Sequence, residues 1–190
     1  MPRPNEQDSE RGFTLVELII YSMLLMIVLA IVGSMLVSTV TTSKTVNSVT
    51  AASTAAQLVA DSVERGIRNS SDFHLTTPVG TDQLLVARTA QGGATINWVC
   101  AAWYYTAAGG GTIRYTTSTT AIPAVPTAAN LAGWTLLDTG VAPASGTSIF
   151  SATGTALTVA FNGLAGNNPP VAISSSAFSR AGSSGVPACY

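Results

Sequence analysis

Residues 18–40 run without a charged side chain and are mostly apolar. At about 1.5 Å of rise per residue, a helix of that length crosses the hydrocarbon core of a bilayer. Beyond Val40 the pattern becomes periodic: Val46, Val49, Ala52, Ala56, Val59, Val63 and Ile67 recur at helical spacing, with mostly polar residues between them. Together the two stretches predict one helix from about residue 14 to residue 68, on the order of 80 Å long.

After residue 68 the punctuation changes. Asn69-Ser70-Ser71-Asp72 and Pro78-Val79-Gly80 read as turns, and short runs at 83–88, 95–106, 112–118, 135–138, 155–161 and 171–176 read as strands. Gly109-Gly110-Gly111 marks a hairpin. Residues 95–105 are apolar at both parities of the alternation, as in a central strand covered on both faces. Trp98, Trp103, Tyr104 and Tyr105 read there as core packing or, alternatively, as an aromatic binding surface. The fold class is therefore α+β, a long N-terminal helix packed on an antiparallel β-sheet head.

Composition narrows the function classes. Only 9% of the 190 residues are charged, as in an exported, weakly charged surface protein. No Lys/Arg cluster provides the footprint of a backbone-binding protein, so no direct nucleic-acid binding is expected. The single histidine, His74, has no cysteine or carboxylate cluster at metal-ligand spacing. It reads as a surface or turn residue, and no catalytic residue, metal or cofactor is expected. Asp72 and Asp82 flank the first loop of the head and could hold calcium together with backbone carbonyls, although two carboxylates are few for such a site. The glycine run is not followed by Lys-Ser or Lys-Thr, so it is not a phosphate loop.

Cys100 and Cys189 are the two cysteines, and both fall in the part expected to be exported. They predict a disulfide, against the alternative of two unrelated buried thiols. In the chain-entropy account such a bridge stabilises the fold by at most roughly 4 kcal/mol.

Immediately upstream of the apolar run stands Arg11-Gly12-Phe13-Thr14-Leu15-Val16-Glu17. A secretory signal peptide calls for a basic start and a small-x-small site after the apolar core. Here the leader is mostly acidic, and the nearest candidate site is around Val32-Gly33-Ser34. A plain signal anchor is a third reading. The Gly-Phe-Thr-Leu-x-Glu string joined directly to an apolar span resembles the type IV prepilin signature. The resemblance implies that a prepilin peptidase cuts between Gly12 and Phe13 on the cytoplasmic side and that Phe13 is N-methylated. It also implies that Glu17 is the family's glutamate at the fifth mature position. Loss of residues 1–12 would leave six basic and six acidic side chains, a formally neutral chain.

Elementary electrostatics points the same way. A carboxylate at the edge of a hydrocarbon segment costs about 3 kcal/mol on insertion scales and usually has a partner. The α-amino group exposed by cleavage keeps its charge after methylation, and staggered helices can bring one subunit's amine to another's Glu17. Glu17 also lies in the first helical turn, where the macrodipole favours negative charge; the alternative is that it snorkels at the interface without a partner. Arg3 and Arg11 before the span against Lys44 after it place the N-terminus in the cytoplasm by a margin of one residue. No proline breaks the membrane helix. Gly33 stands in its place, either loosening the helix or allowing close helix contact.

The resemblance implies four parts: a leader at 1–12, a transmembrane and filament-core helix at 13–40, its amphipathic continuation at 41–69 and a β-rich head at 70–190. Residues 63–73, the Trp/Tyr-rich strand whose glycine hairpin leads to residues 113–118, and residues 171–180 further resemble J-type pseudopilins and PilW-like minor pilins. The function so implied is structural, not enzymatic. It is that of a minor pilin or pseudopilin of a type IV pilus, competence pilus or type II secretion-like filament. Its partners would be prepilin peptidase, other pilins, the assembly platform and motor, and membrane lipid before assembly. It would sit as a single-pass protein in a bacterial inner membrane and then in a surface pilus or secretion pseudopilus. The rival reading is a singly anchored adhesin or binding protein that does not polymerise.

Overall fold

The first described element is the helix α1, Leu15–Arg68, 54 residues long. The computed structural model describes residues 14–92, 96–180 and 188–190. Thr14 caps α1, its Oγ1 accepting the Glu17 N–H at 3.2 Å. Inside the apolar stretch, the hydroxyls of Ser22, Ser34 and Thr39 donate to the carbonyls of Ile19, Ile31 and Met35 at 2.8–2.9 Å. These three hydroxyls are thus satisfied within their own helix, the condition for tolerating them in an apolar environment.

The chain divides into two compact units, one ending at Thr45 and the other beginning at Val46. Within the second unit α1 becomes amphipathic. Ala56, Val59, Val63 and Ile67 are buried at spacings of three and four residues and supply the helical stripe of the main core. Arg65 and Arg68 lie in the last turn, where cations suit the helix dipole. Ser70 Oγ then donates to the Ile67 carbonyl at 2.7 Å, and the chain turns into the first strand.

Five strands form an antiparallel meander: β1 (Ser70–Thr76), β2 (Gln83–Gln91), β3 (Asn97–Thr106), β4 (Thr112–Ser118) and β5 (Thr135–Thr139), adjacent in chain order. β1 departs from the turn expected at 69–72. Ser70 pairs with Thr89 of β2, Ser71 stands in the bulge that follows, and both are buried; Ser71 Oγ accepts the Arg88 Nε–H at 2.7 Å. A long-range partner has overridden the local turn preference of Asn and Ser. The hairpin between β3 and β4 falls at the glycine run, where Gly109, Gly110 and Gly111 have φ of 65°, 89° and 86°. A one-turn helix, α2 (Ala128–Ala132), held by a Thr127–Asn130 capping box, precedes β5 and was not anticipated.

The second sheet holds β6 (Val141–Pro143), β7 (Phe150–Thr153), β8 (Ala156–Ala165) and β9 (Asn168–Phe178). β6 and β7 pair in succession along one edge of β8, and β9 runs antiparallel along the other. The run expected at 155–161 thus covers the first part of a longer strand, β8, and the run expected at 171–176 the middle of β9. Pro169 and Pro170 stand at the start of β9, which among the described residues pairs with β8 alone, as prolines in sheets require.

The helical stripe, the inner face of the first sheet (Leu85, Ala101, Trp103, Tyr105) and the second sheet (Phe150, Val159, Phe161) share one core. Gly163 of β8 lets the strand approach α1, since a Cβ there would lie 3.3 Å from the Ala56 Cβ. The other face of the first sheet carries Leu84, Val86, Cys100, Ala102 and Tyr104 beneath Ile122, Trp134 and Cys189. Both faces are covered, which is why β3 is apolar at both parities.

Candidate functional site

Gly12 and Phe13 lie outside the described residues. Glu17 is the acidic residue of the first turn of α1, and its Oε1 accepts a hydrogen bond from the Tyr21 hydroxyl, one turn further on, at 2.9 Å. Between residues 14 and 40 every described residue is exposed except Glu17, which is half-buried. The exposed side chains include Leu15 at 76%, Met26 at 72% and Leu29 at 60%. Burying this surface drives association with lipid or with other apolar helices. Among the described residues α1 is the one helix long and apolar enough to cross a membrane. Gly33 continues it without interruption, and a side chain at that position would meet open space.

In the head, Cys100 of β3 and Cys189 are joined by a disulfide, with their Cα atoms 5.3 Å apart. The Cys189 carbonyl accepts the Ile122 N–H at 3.0 Å, so the same segment is held to the connection between β4 and β5. Tyr190 stacks on His74 of β1 with ring centroids 4.9 Å apart, and its hydroxyl donates to Asp72 Oδ2. Burial and the Asp72 carboxylate push the Tyr190 phenol up to about 12, while the Arg88 charge opposes this. The phenol therefore remains a donor throughout the neutral range.

Arg88 is only 7% exposed, and its guanidinium lies 4.3 Å from the centroid of Trp98. Tyr104 donates to Asp82 Oδ2 at 2.6 Å, and burial, then this bond, raise its pKa. Asp72 and Asp82 thus each serve a tyrosine, and among the described residues no cluster of three or more histidine, cysteine or acidic side chains could hold a metal. His74, exposed on β1, borders a mostly apolar cavity of about 320 Å³ between Leu84, Val86, Ile122 and Tyr190. Of the four aromatic residues at 98–105, Trp103, Tyr104 and Tyr105 are buried in the two cores, and Trp98 is half-buried beneath Arg88. They are packing residues.

Sequence reasoning missed Tyr21, although its i,i+4 spacing from Glu17 is legible on a helix. It also missed the Asp72–Tyr190 and Arg88–Trp98 contacts, which join residues no local pattern connects.

Residues 8–33 match the family described as the prokaryotic N-terminal methylation motif. No curated protein matches the chain. No solved structure matches it either. The motif implies processing by prepilin peptidase and association with other pilins. Together with the exposed apolar helix and the antiparallel head, it supports a type IV pilin-like precursor.

Proposed function

We propose that the chain is a minor pilin or pseudopilin that enters a filament through its N-terminal helix after prepilin peptidase cuts between Gly12 and Phe13 and Phe13 is methylated. The observation that carries this reading is the lone carboxylate, Glu17, near the start of an otherwise exposed apolar helix inside the methylation motif. Residues 13–40 are the membrane span before assembly and the filament core after it, 41–69 continue the helix, and 70–190 form the head. The N-terminus faces the cytoplasm, where assembly platform and motor act. In the filament the amine of Phe13 in one subunit pairs with Glu17 of another, and each offsets the cost of burying the other's charge. The sequence resemblance of residues 63–73, 113–118 and 171–180 to J-type pseudopilins and PilW-like minor pilins supports a minor subunit of a pilus, competence pilus or secretion filament.

The test is the N-terminal mass of the protein in the sheared surface fraction of its own host. A chain beginning at N-methylated Phe13 in that fraction supports the reading. An intact Met1, or a chain that stays with membranes, overturns it in favour of a singly anchored surface protein.

A further inference from the structure

The spacing Thr14-x-x-Glu17 is that of a capping box, in which the glutamate turns back toward the N–H of the cap residue. The structure shows a different allegiance for the carboxylate. Glu17 donates its own N–H to Thr14 Oγ1 at 3.2 Å, but its Oε1 accepts from the Tyr21 hydroxyl at 2.9 Å, one turn deeper into the apolar segment. Tyr21 is the side chain that, among the described residues, hydrogen-bonds this carboxylate, and Glu17 alone between residues 14 and 40 is half-buried.

Three consequences follow from the chemistry. A carboxylate accepts at both oxygens, so a bond to Oε1 leaves Oε2 available. A glutamate held by a hydroxyl on its own helix has fewer rotamers to surrender when a cation arrives, which is the ordinary basis of preorganisation. The phenol hydroxyl, which would otherwise be unsatisfied in an apolar setting, acquires its acceptor.

We propose that Tyr21 is a positioning residue for filament entry: it fixes the Glu17 carboxylate against α1 and presents the second oxygen to the α-amine of an incoming subunit. This rests on the pairing of Glu17 proposed above.

Tyr21→Phe keeps the ring and removes the hydroxyl, so it isolates the bond. The full-length chain, Tyr21→Phe and Glu17→Gln are each expressed in the host, and three quantities are read: membrane level, N-terminal processing and amount in the sheared filament fraction. The expected result is unchanged level and processing for Tyr21→Phe, with incorporation lowered about three- to tenfold, the effect of one lost hydrogen bond of ordinary net strength at an exposed site. Wild-type incorporation of Tyr21→Phe beside defective Glu17→Gln overturns the role of Tyr21 and leaves the Glu17 pairing standing. Wild-type incorporation of both variants overturns the pairing itself. A fall in level or processing of Tyr21→Phe that matches its fall in incorporation makes the residue merely structural, and also overturns the proposal.

Discussion

Gln83 and Phe150, 67 residues apart in the chain, meet as two paired strand residues would. The Gln83 Nε2 donates to the Phe150 carbonyl at 2.9 Å and its Oε1 accepts the Phe150 N–H at 2.9 Å. The same Oε1 accepts the Ile149 N–H at 2.7 Å. A single side-chain amide, itself 3% exposed, thus clips the second sheet to the first, which among the described residues no backbone ladder joins.

Gln83→Leu fits the space but leaves two N–H groups and a carbonyl buried without partners. The expected loss is about 3 kcal/mol, seen as a melting temperature lower by roughly 10 °C for a chain of this size. Thermal unfolding of the detergent-solubilised full chain reads this directly. An unchanged melting temperature would mean that water replaces the clip at no cost.

Gly66 of α1 packs directly against Trp103 of the first sheet: a Cβ at Gly66 would stand 2.1 Å from Cη2 of the indole. The indole N–H donates to Ser62 Oγ at 3.0 Å, one turn earlier on the same helical face. Gly66→Ala must displace a ring that is 1% exposed, at a cost of about 2 kcal/mol. Ser62→Ala costs about 1 kcal/mol by orphaning the indole N–H. The first variant should alter tryptophan fluorescence in the folded state as well as lower stability; the second should lower stability alone.

Gly33 contrasts with Gly66, because a side chain there meets open space in the isolated chain. Gly33→Ala should stiffen the helix by about 1 kcal/mol without harming insertion. If local loosening is the role of this glycine, filament incorporation falls with alanine. If close helix contact is its role, alanine is tolerated and Gly33→Leu is not. The sheared-fraction assay separates the two.

The helix and the β-rich head are legible in the sequence because their signals are local and repeated. Ala56, Val59, Val63 and Ile67 mark one helical face, and the three glycines at 109–111 can serve only a turn. β1 is not legible, because Ser70, Ser71 and Asp72 carry turn chemistry and become strand only by pairing with β2. β6 and β7 are three and four residues long, too short for any alternation to stand out. The Gln83 clip joins positions that no window contains. At the N-terminus the motif identifies Glu17, and the i,i+4 spacing of Tyr21 places it on the same helical face, but spacing alone does not show that its hydroxyl bonds the carboxylate.

Removing the Cys100–Cys189 bridge should release the segment that carries Tyr190 from His74 and Asp72. Loss of the cross-link over a sequence separation of 89 residues costs at most roughly 4 kcal/mol in the chain-entropy account. Cys189→Ser, or reduction of the native chain, should therefore lower the melting temperature and change the magnetic resonance signals of the His74 ring as its stacking partner leaves. Reduction that alters neither would show that the Ile122 and Asp72 hydrogen bonds hold the segment without covalent help.

Asp138 makes stability depend on pH in the acid range. Its Oδ1 accepts the Thr139 N–H at 2.7 Å, but its Oδ2 is wholly shielded and has no partner. Burial raises the pKa of this carboxyl, and the Thr139 bond only partly opposes the rise. The folded chain therefore binds the proton more tightly than the unfolded chain does. Between the ordinary value of 3.8 and the raised folded value, stability falls as pH rises, and above that window the full penalty of a buried, half-satisfied charge is present. Asp138→Asn removes the charge and keeps the acceptor for Thr139. It should raise stability by about 1 kcal/mol at neutral pH, and the advantage should shrink to nothing as pH falls below the window. Melting temperatures of the two chains measured in parallel from pH 3 to pH 8 decide it. Curves that stay parallel across that range would show that Asp138 keeps its water in the folded state and carries no such penalty.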